Sequence, residues 1–342
     1  MKRSALIIVV FLLLGAKTQD DKTFMNPLLP SGADPWSIYH NGYYYYTHTL
    51  GNRLEIWKTK NLAELKSAER KIVWTPPANT NYSKQIWAPE LHYIDSTWYM
   101  YFAADDGKNE NHRIYSIFNR SKDPLIGDWK FFGKVSDPSD KWAIDASVFE
   151  VNKKLYMVWS GWEGDKDGAQ NIYIASMKDP LTVSSKRVMI SKPELSWETH
   201  GPLQRDGANI NVSVNEGPQV LFHGQNVFLI YSASGCWTER YSLGMLSASA
   251  SSDLLDPASW KKYSEPVFTA SPSDSVFAPG HNSFFKSPDG KEDWILYHAN
   301  AKPGQGCGRD RSPRAQPFTW SDDGIPVFGK PVSTKVAIEQ PR

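Results

Sequence analysis

The amino-acid sequence predicts an all-β chain that folds as a five-bladed β-propeller over residues 24–335. Three observations lead to this prediction. Beyond residue 20, only residues 62–71 suggest a short helix. Short runs that alternate aromatic and β-branched residues recur instead, with turn residues between them. Five of these runs resemble one another at a spacing of roughly 55 to 70 residues, as expected for repeated four-stranded blades with long loops.

Each of the five similar runs is predicted to be one strand of a blade. The runs occupy residues 42–47, 97–102, 154–159, 226–231 and 293–298. Another strand-like segment precedes each run across a short turn, at residues 34–38, 88–92, 145–149, 216–220 and 281–285. These segments open, within one or two residues, with a charged or imidazole side chain, namely Asp34, Glu90, Asp145, Glu216 and His281. If each segment is the innermost strand of its blade, the five side chains meet at one end of the axis.

The composition argues against nucleic-acid binding and favours a sugar site. The 342 residues include 38 Lys and Arg against 37 Asp and Glu, a formal net charge of +1, whereas nucleic-acid binding usually requires a basic excess. The 14 Trp, 16 Tyr and 15 Phe make up 13% of the chain. Such rings often line carbohydrate sites, because the apolar face of a sugar stacks on them. We therefore expect a carbohydrate partner and no nucleic acid.

The N-terminus has the pattern of a secretory signal peptide over residues 1–19. A basic start at Lys2 and Arg3 precedes an uncharged stretch from Ala5 to Ala16, and a polar segment follows. Because this apolar stretch is too short to span a bilayer, a cleaved signal is favoured over the alternative of a short anchor. The expected product is secreted, either extracellular or periplasmic, with no membrane span in the mature chain.

The sequence contains two cysteines, Cys236 and Cys307. In an oxidising compartment they could pair and close a long loop. Two cysteines define no disulfide framework, however, so two unpaired core residues remain an equal alternative.

Acidic side chains gathered at the mouth of a channel predict hydrolysis of a glycosidic bond. Such a cluster is costly, because like charges in a half-desolvated pocket raise one another's pKa. Glycoside hydrolysis uses this arrangement: one carboxylate activates water, and a second acid, kept protonated by its surroundings, protonates the leaving oxygen. A third carboxylate can orient that acid and keep its pKa high.

At these motifs the chain resembles glycoside hydrolase family 43. The likeness covers residues 26–329 and rests on five segments in the family's order, which are residues 33–36, 87–90, 144–147, 215–218 and 280–283. The resemblance implies a five-bladed propeller and an inverting mechanism. By position, Asp34 matches the general base, Glu216 the general acid and Asp145 the residue that tunes the acid and orients the substrate.

The same resemblance implies further contacts in the pocket. Glu90 is expected to be a supporting pocket residue. His281 matches a histidine at the channel axis that in some members helps to hold a hydrated cation such as calcium; it is a candidate for both substrate and metal contact, and no other cofactor is expected. Arg311 aligns with an arginine that reaches the innermost sugar, with Arg309 and Arg314 as alternatives. The tryptophans expected at the pocket wall are Trp36, Trp87 and Trp237.

Two local cues favour one activity within the family. The residue before Asp34 is Ala33 rather than the His common in endo-arabinanases, and the segment from Arg311 to Trp320 is similar to single-domain arabinofuranosidases. We expect no C-terminal sandwich domain of the kind many β-xylosidases carry. The favoured function is release of terminal α-L-arabinofuranose from plant cell-wall arabinan or arabinoxylan by a monomer. The alternatives are a β-xylosidase and, in another class, a non-catalytic carbohydrate-binding propeller.

Overall fold

The computed structural model describes residues 23–166, 168–205 and 207–342. Five antiparallel sheets of four or five strands form the blades of a β-propeller, so the predicted fold is confirmed. The first strands of neighbouring blades contact one another in a closed ring, and they are the five segments predicted to be innermost. The predicted signal peptide, residues 1–19, lies outside the described residues.

The strands follow the chain in order, and the first two blades have four strands each. A short strand, β1 (Thr23–Phe24), precedes the blades. Blade 1 consists of β2 (Trp36–His40), β3 (Tyr43–Thr47), β4 (Leu54–Thr59) and β5 (Glu69–Trp74). Blade 2 consists of β6 (Lys84–Ile94), β7 (Thr97–Asp105), β8 (Arg113–Asn119) and β9 (Lys130–Lys134).

The third blade has a fifth strand, and a separate hairpin follows it. Blade 3 consists of β10 (Ala143–Val151), β11 (Lys154–Trp162), β12 (Gln170–Asp179), β13 (Thr182–Val183) and β14 (Val188–Ser191). The hairpin comprises β15 (Pro202–Arg205) and β16 (Ala208–Asn211), which pair with each other to form a two-stranded sheet. The sequence pattern did not predict this hairpin.

The last two blades again have four strands each. Blade 4 consists of β17 (Asn215–His223), β18 (Asn226–Ala233), β19 (Ser242–Ser249) and β20 (Lys261–Lys262). Blade 5 consists of β21 (Phe277–Lys286), β22 (Asp293–Asn300), β23 (Ser312–Trp320) and β24 (Pro326–Val327). The final strand, β25 (Ile338–Glu339), pairs with β1.

Helical structure in the described residues is limited to short 3-10 turns. These are Leu62–Ser67, Asn109–Asn111, Ser196–Glu198, Pro257–Ser259 and Pro272–Asp274. The helix suggested for residues 62–71 is therefore shorter than expected, because the chain becomes extended again in β5. Among the described residues, no helix has the length and apolar character needed to cross a membrane.

The aromatic runs are buried on both faces because each blade is packed between two neighbours. In β7, Trp98 and Phe102 belong to a cluster with Ile56 of blade 1, whereas Tyr101 belongs to a cluster with Val148 of blade 3. Successive side chains of a strand point to opposite faces, so one run supplies two interfaces. Burying a side chain of this size contributes about 1.5–3 kcal/mol, which explains why the runs have so few polar residues.

The N-terminal segment fixes Arg311 and the start of β23 beside the segment that carries Asp34. The backbone N–H of Leu28 donates to the carbonyl of Pro313 at 2.8 Å, and that of Gly32 donates to the carbonyl of Arg311 at 2.9 Å. The β1–β25 pair adds a second link between the two ends of the described chain. The ring is thus closed next to the predicted base.

Candidate active site

A pocket opens at the end of the ring where the innermost strands begin. Its volume is about 390 Å³, within the range of small-ligand sites. Every blade contributes to its wall. The lining residues are Asp34, Thr49, Trp87, Asn109, Trp142, Ile144, Asp145, Gln170, Leu203, Arg205, Val212, Glu216, Cys236, Trp237, His281, Cys307 and Arg311. The three predicted catalytic acids therefore share one cavity.

A repeated backbone feature aims these side chains at the axis. The first strands of blades 2 to 5 each contain a register shift at the same place. The residue at each shift has a left-handed backbone: φ is 44° at Ala88, 57° at Asp145, 56° at Gly217 and 47° at His281. Asp34, just before β2, has a φ of 56°. The shared backbone conformation shows that these five positions are equivalent around the ring. Bulges of this kind redirect the side chains at and next to them.

Asp34 is buried among donors that favour its charged form. Arg311 Nη1 donates to Oδ1 at 3.0 Å, and Thr49 Oγ1 donates to Oδ2 at 2.6 Å. His281 Nδ1 lies 3.3 Å from Oδ1. Burial alone would raise the pKa of Asp34, but Arg311, followed by the two nearby histidines and Thr49, holds it well below its usual value. Asp34 is therefore ionised at neutral pH.

Two histidines next to Asp34 are neutral. Burial lowers the pKa of His281 and lowers that of His298 further. The Nδ1 atom of His298 accepts the backbone N–H of Asp34 at 3.1 Å, which requires an unprotonated nitrogen at that position. At neutral pH Arg311 is consequently the charged partner of Asp34, and the histidines add positive charge only at the lower pH at which Asp34 would bind a proton.

Glu216 and Asp145 lie in different surroundings and receive their hydrogen bonds from neutral donors. Tyr241 Oη donates to Glu216 Oε1 at 2.8 Å, and the backbone N–H of Gly217 donates to Asp145 Oδ2 at 3.0 Å. Burial raises the pKa of Glu216 to about 7, against the effect of the Tyr241 hydrogen bond. Burial and the charges of Glu216 and Asp34 also raise the pKa of Asp145. The pair therefore retains a proton at neutral pH.

One wall of the pocket is aromatic. Trp87 stacks on His112 with ring centroids 4.1 Å apart, and Trp142 stacks on Trp162 at 4.5 Å. Trp142 Nε1 also donates to the carbonyl of Asn109 at 2.7 Å. The sequence placed Trp87 on this wall but missed Trp142, which precedes the innermost strand of blade 3 and belongs to no repeated motif.

Trp237 lines the pocket too, although its ring is engaged with the protein. Its Nε1 atom donates to the carbonyl of Pro202 at 2.9 Å. The neighbouring Cys236 forms a disulfide with Cys307, so of the two alternatives for the cysteines the paired one is present. The bond joins the β18–β19 loop to the β22–β23 loop at the rim.

Two predicted substrate contacts, Trp36 and Glu90, lie elsewhere. Neither lines the pocket; both line a smaller cavity that also borders Asp34 and His281. Glu90 is bonded to Gln219, and its Oε2 lies 2.9 Å from His92 Nε2. Trp36 follows Asp34 by two positions, and Glu90 follows Ala88 by two positions. Both therefore lie further along the axis, away from the mouth of the pocket.

The arginine alternatives are distinguished by position. Arg311 alone of the three lines the pocket. Arg309 is exposed, and Arg314 is fully buried with its guanidinium bonded to the carbonyls of Ser275 and Asn300. Thr49, Tyr241 and His298, which contact the acids, were not predicted. Thr49 and Tyr241 lie outside the repeated segments, and His298 ends the run 293–298 at a position where no other run has a histidine.

The surroundings of His281 fit a hydrated cation better than a directly ligated one. Among the described residues, no group of three or more His, Cys, Asp or Glu side chains is placed to hold a metal ion. Next to His281, the side-chain amide of Asn282 is buried with neither its nitrogen nor its oxygen hydrogen-bonded within the described part of the chain. Calcium takes about 6–8 oxygen ligands, so water would have to supply most of them here.

Fold and pocket together define a propeller with a carboxylate site suited to glycosidic bonds. A family model described as Glycosyl hydrolases family 43 matches residues 24–326. The chain belongs to this family, as the motifs predicted.

Similar proteins carry arabinofuranosidase names. The chain is 41% identical over 322 residues to the extracellular exo-alpha-(1->5)-L-arabinofuranosidase of Streptomyces avermitilis, covering 92% of this chain but only 65% of that protein. It is 33% identical to the protein of the same name from Streptomyces chartreusis, covering 81% of this chain and 82% of that one. The chain thus spans about two thirds of the first relative's length.

Solved structures agree with the fold. The crystal structure of alpha-L-arabinofuranosidase from Lactobacillus brevis matches with a TM-score of 0.84 and 42% identity, covering 92% of this chain and 98% of that one. A thermostable family-43 glycoside hydrolase matches with a TM-score of 0.77 and 27% identity, covering 94% and 99%.

Proposed function

We propose that this protein is a secreted, inverting, exo-acting α-L-arabinofuranosidase that releases terminal α-L-arabinofuranose from arabinan or arabinoxylan oligosaccharides. The observation that carries the proposal is a contrast within one pocket. Asp34 is ionised at neutral pH, whereas Asp145 and Glu216 together retain a proton. The relatives' names support the choice of sugar.

The proposed reaction uses one base and one acid. Glu216 gives its proton to the glycosidic oxygen as the bond from that oxygen to the anomeric carbon breaks. A water attacks that carbon from the opposite face, and Asp34 takes the proton that the water loses. Each turnover leaves Asp34 protonated and Glu216 ionised, so both must exchange protons with solvent before the next one.

The remaining polar residues set up these two groups. Arg311 keeps Asp34 ionised and has donors left for sugar hydroxyls. Asp145 shares the buried site with Glu216, and because two like charges there are unfavourable, the pair keeps a proton. Trp87 and Trp142 offer apolar surface to a sugar face.

Secretion is supported by two observations. The Cys236–Cys307 disulfide is typical of an oxidising compartment, and both Streptomyces relatives are named extracellular. A hydrated cation such as calcium, if it binds beneath the pocket, would contact His281, and no step of the reaction passes through it. A chelator should then lower stability more than turnover. The monomeric state stays a prediction.

A substrate panel with proton NMR tests the proposal. Purified enzyme should release arabinose from α-1,5-arabinobiose, and the first-formed sugar should be the inverted anomer. Cleavage of xylobiose with arabinosides untouched would select the β-xylosidase alternative. Sugar binding without any turnover would select the binding propeller, and a retained anomer would overturn the water-attack mechanism.

A further inference from the structure

The β15–β16 hairpin rises beside Glu216. Its second strand ends at Asn211, and β17, which begins at Asn215, carries Glu216 as its second residue. Leu203, Arg205 and Val212 line the same pocket as Glu216. The segment that leads into the acid-bearing strand therefore also builds the rim next to the acid.

One face of β15 forms this rim. Leu203 and Arg205 are two residues apart, and side chains with that spacing point to the same side of a strand. Gln204, between them, is exposed and does not line the pocket. The pocket thus receives one apolar and one guanidinium side chain from the same strand.

The base of the hairpin is held firmly against blade 4. Trp237 Nε1 donates to the Pro202 carbonyl at 2.9 Å. The backbone N–H of Gly235 donates to the carbonyl of His200 at 2.7 Å. A Cβ atom at Gly235 would lie 2.4 Å from the Trp237 ring, so this close approach requires glycine. Cys236, between Gly235 and Trp237, is tied to Cys307, and the disulfide and the ring together hold the hairpin in place.

We propose that the pocket-facing side of β15, formed by Leu203 and Arg205, is the subsite for the leaving-group sugar, the second arabinofuranosyl residue of the chain. This inference rests on the proposed function. A general acid must reach the glycosidic oxygen, so the departing residue lies on the side of Glu216, where the hairpin stands. Leu203 packs on an apolar face of the furanose, and Arg205 donates to its hydroxyls.

Two substrates with the same reacting sugar separate this subsite from the catalytic groups. α-1,5-Arabinobiose has a second ring, whereas methyl α-L-arabinofuranoside has an alkoxide leaving group without one. We expect Leu203→Ala and Arg205→Ala each to lower kcat/KM for arabinobiose about tenfold while changing it less than about twofold for the methyl glycoside. Gln204→Ala is the matched control on the opposite face and should leave both values unchanged.

Equal losses on both substrates, or no loss on arabinobiose, would overturn the subsite. A wild-type enzyme that cleaves neither arabinoside would instead refute the proposed function itself. Binding gives a readout independent of turnover: in a Glu216→Gln background, calorimetry should show about tenfold weaker arabinobiose binding in the hairpin variants, with arabinose binding unchanged. Arg205 is exposed, and thermal unfolding of the variant should confirm an intact fold.

Discussion

Asp34 and Glu216 face the same pocket and are both buried, yet their immediate neighbours differ in kind. The Asp34 side contains Arg311, Thr49 and two histidines. The Glu216 side contains Asp145 and the hydroxyl of Tyr241. Burial disfavours a charged carboxylate on both sides, so the difference in protonation comes from these few partners.

The comparison shows how one cavity keeps a base and an acid at the same pH. On the Asp34 side Arg311, the two histidines and Thr49 together outweigh the cost of burial, and on the Glu216 side the partners that favour the charged form do not. Since Glu216 must hold a proton, activity should fall as pH rises through about 7. Since Asp34 must be ionised, the acidic limit should lie far lower.

Removing the base should have the largest effect. Asp34→Asn keeps the shape of the side chain but cannot take a proton from water. We expect turnover to fall about 10³- to 10⁴-fold on both arabinobiose and activated aryl arabinofuranosides. Initial rates on the two substrates measure this. A variant that keeps normal turnover of either one would remove Asp34 from its proposed role.

Removing the acid should give a loss that depends on the leaving group. Glu216→Gln cannot protonate the departing oxygen, so arabinobiose turnover should fall about 10³-fold. A 2,4-dinitrophenyl arabinofuranoside needs no such protonation and should lose less than about tenfold. Equal losses on the two substrates would contradict the role of Glu216 as the proton donor to the leaving group.

Removing the guanidinium of Arg311 should bring the pKa of Asp34 closer to that of Glu216. Arg311→Met takes away the charge that lowers the pKa of Asp34 and, more weakly, that of Glu216. Both limbs of the kcat/KM profile should therefore move to higher pH, with about 10- to 100-fold lower activity from the lost charged hydrogen bond. Arg309→Met, an exposed neighbour, is the control. An unchanged acidic limb in Arg311→Met would show that Arg311 does not set the state of Asp34.

The smallest effect should come from Tyr241→Phe, which alters only the acid side. The lost hydroxyl stabilises the charged form of Glu216, so the alkaline limb should shift upward while the acidic limb stays in place. The activity change should be less than about tenfold, as for one neutral hydrogen bond. The pH profile of activity on arabinobiose measures this shift. If both limbs moved, Tyr241 would not act on Glu216 alone.

The repeat made the ring and the shared acids predictable. Asp34, Asp145 and Glu216 lie at or next to the equivalent position of segments that recur once per blade, so they were expected to meet near the axis. Depth along the axis was not predictable, because a bulge displaces side chains within a strand. Glu90 was aligned with the acids, but Ala88 is the residue at the bulge, and Glu90 lies below the pocket.

Unrepeated features escaped the sequence pattern. The β15–β16 hairpin occurs before blade 4 and has no counterpart in the repeat that would have revealed it. Thr49 and Tyr241 are single polar residues whose importance depends on what they contact. The pairing of Cys236 with Cys307 depends on two loops coming together at the rim, which the spacing of two cysteines does not specify.

Carbon-13 NMR of the side-chain carboxyl groups in glutamate-labelled protein tests most directly whether the pocket holds its acid protonated. One glutamate should titrate near pH 7, and its signal should be absent from the Glu216→Gln variant. If every glutamate titrates at its ordinary value, between about 4 and 5, Glu216 is ionised at neutral pH and cannot serve as the proton donor.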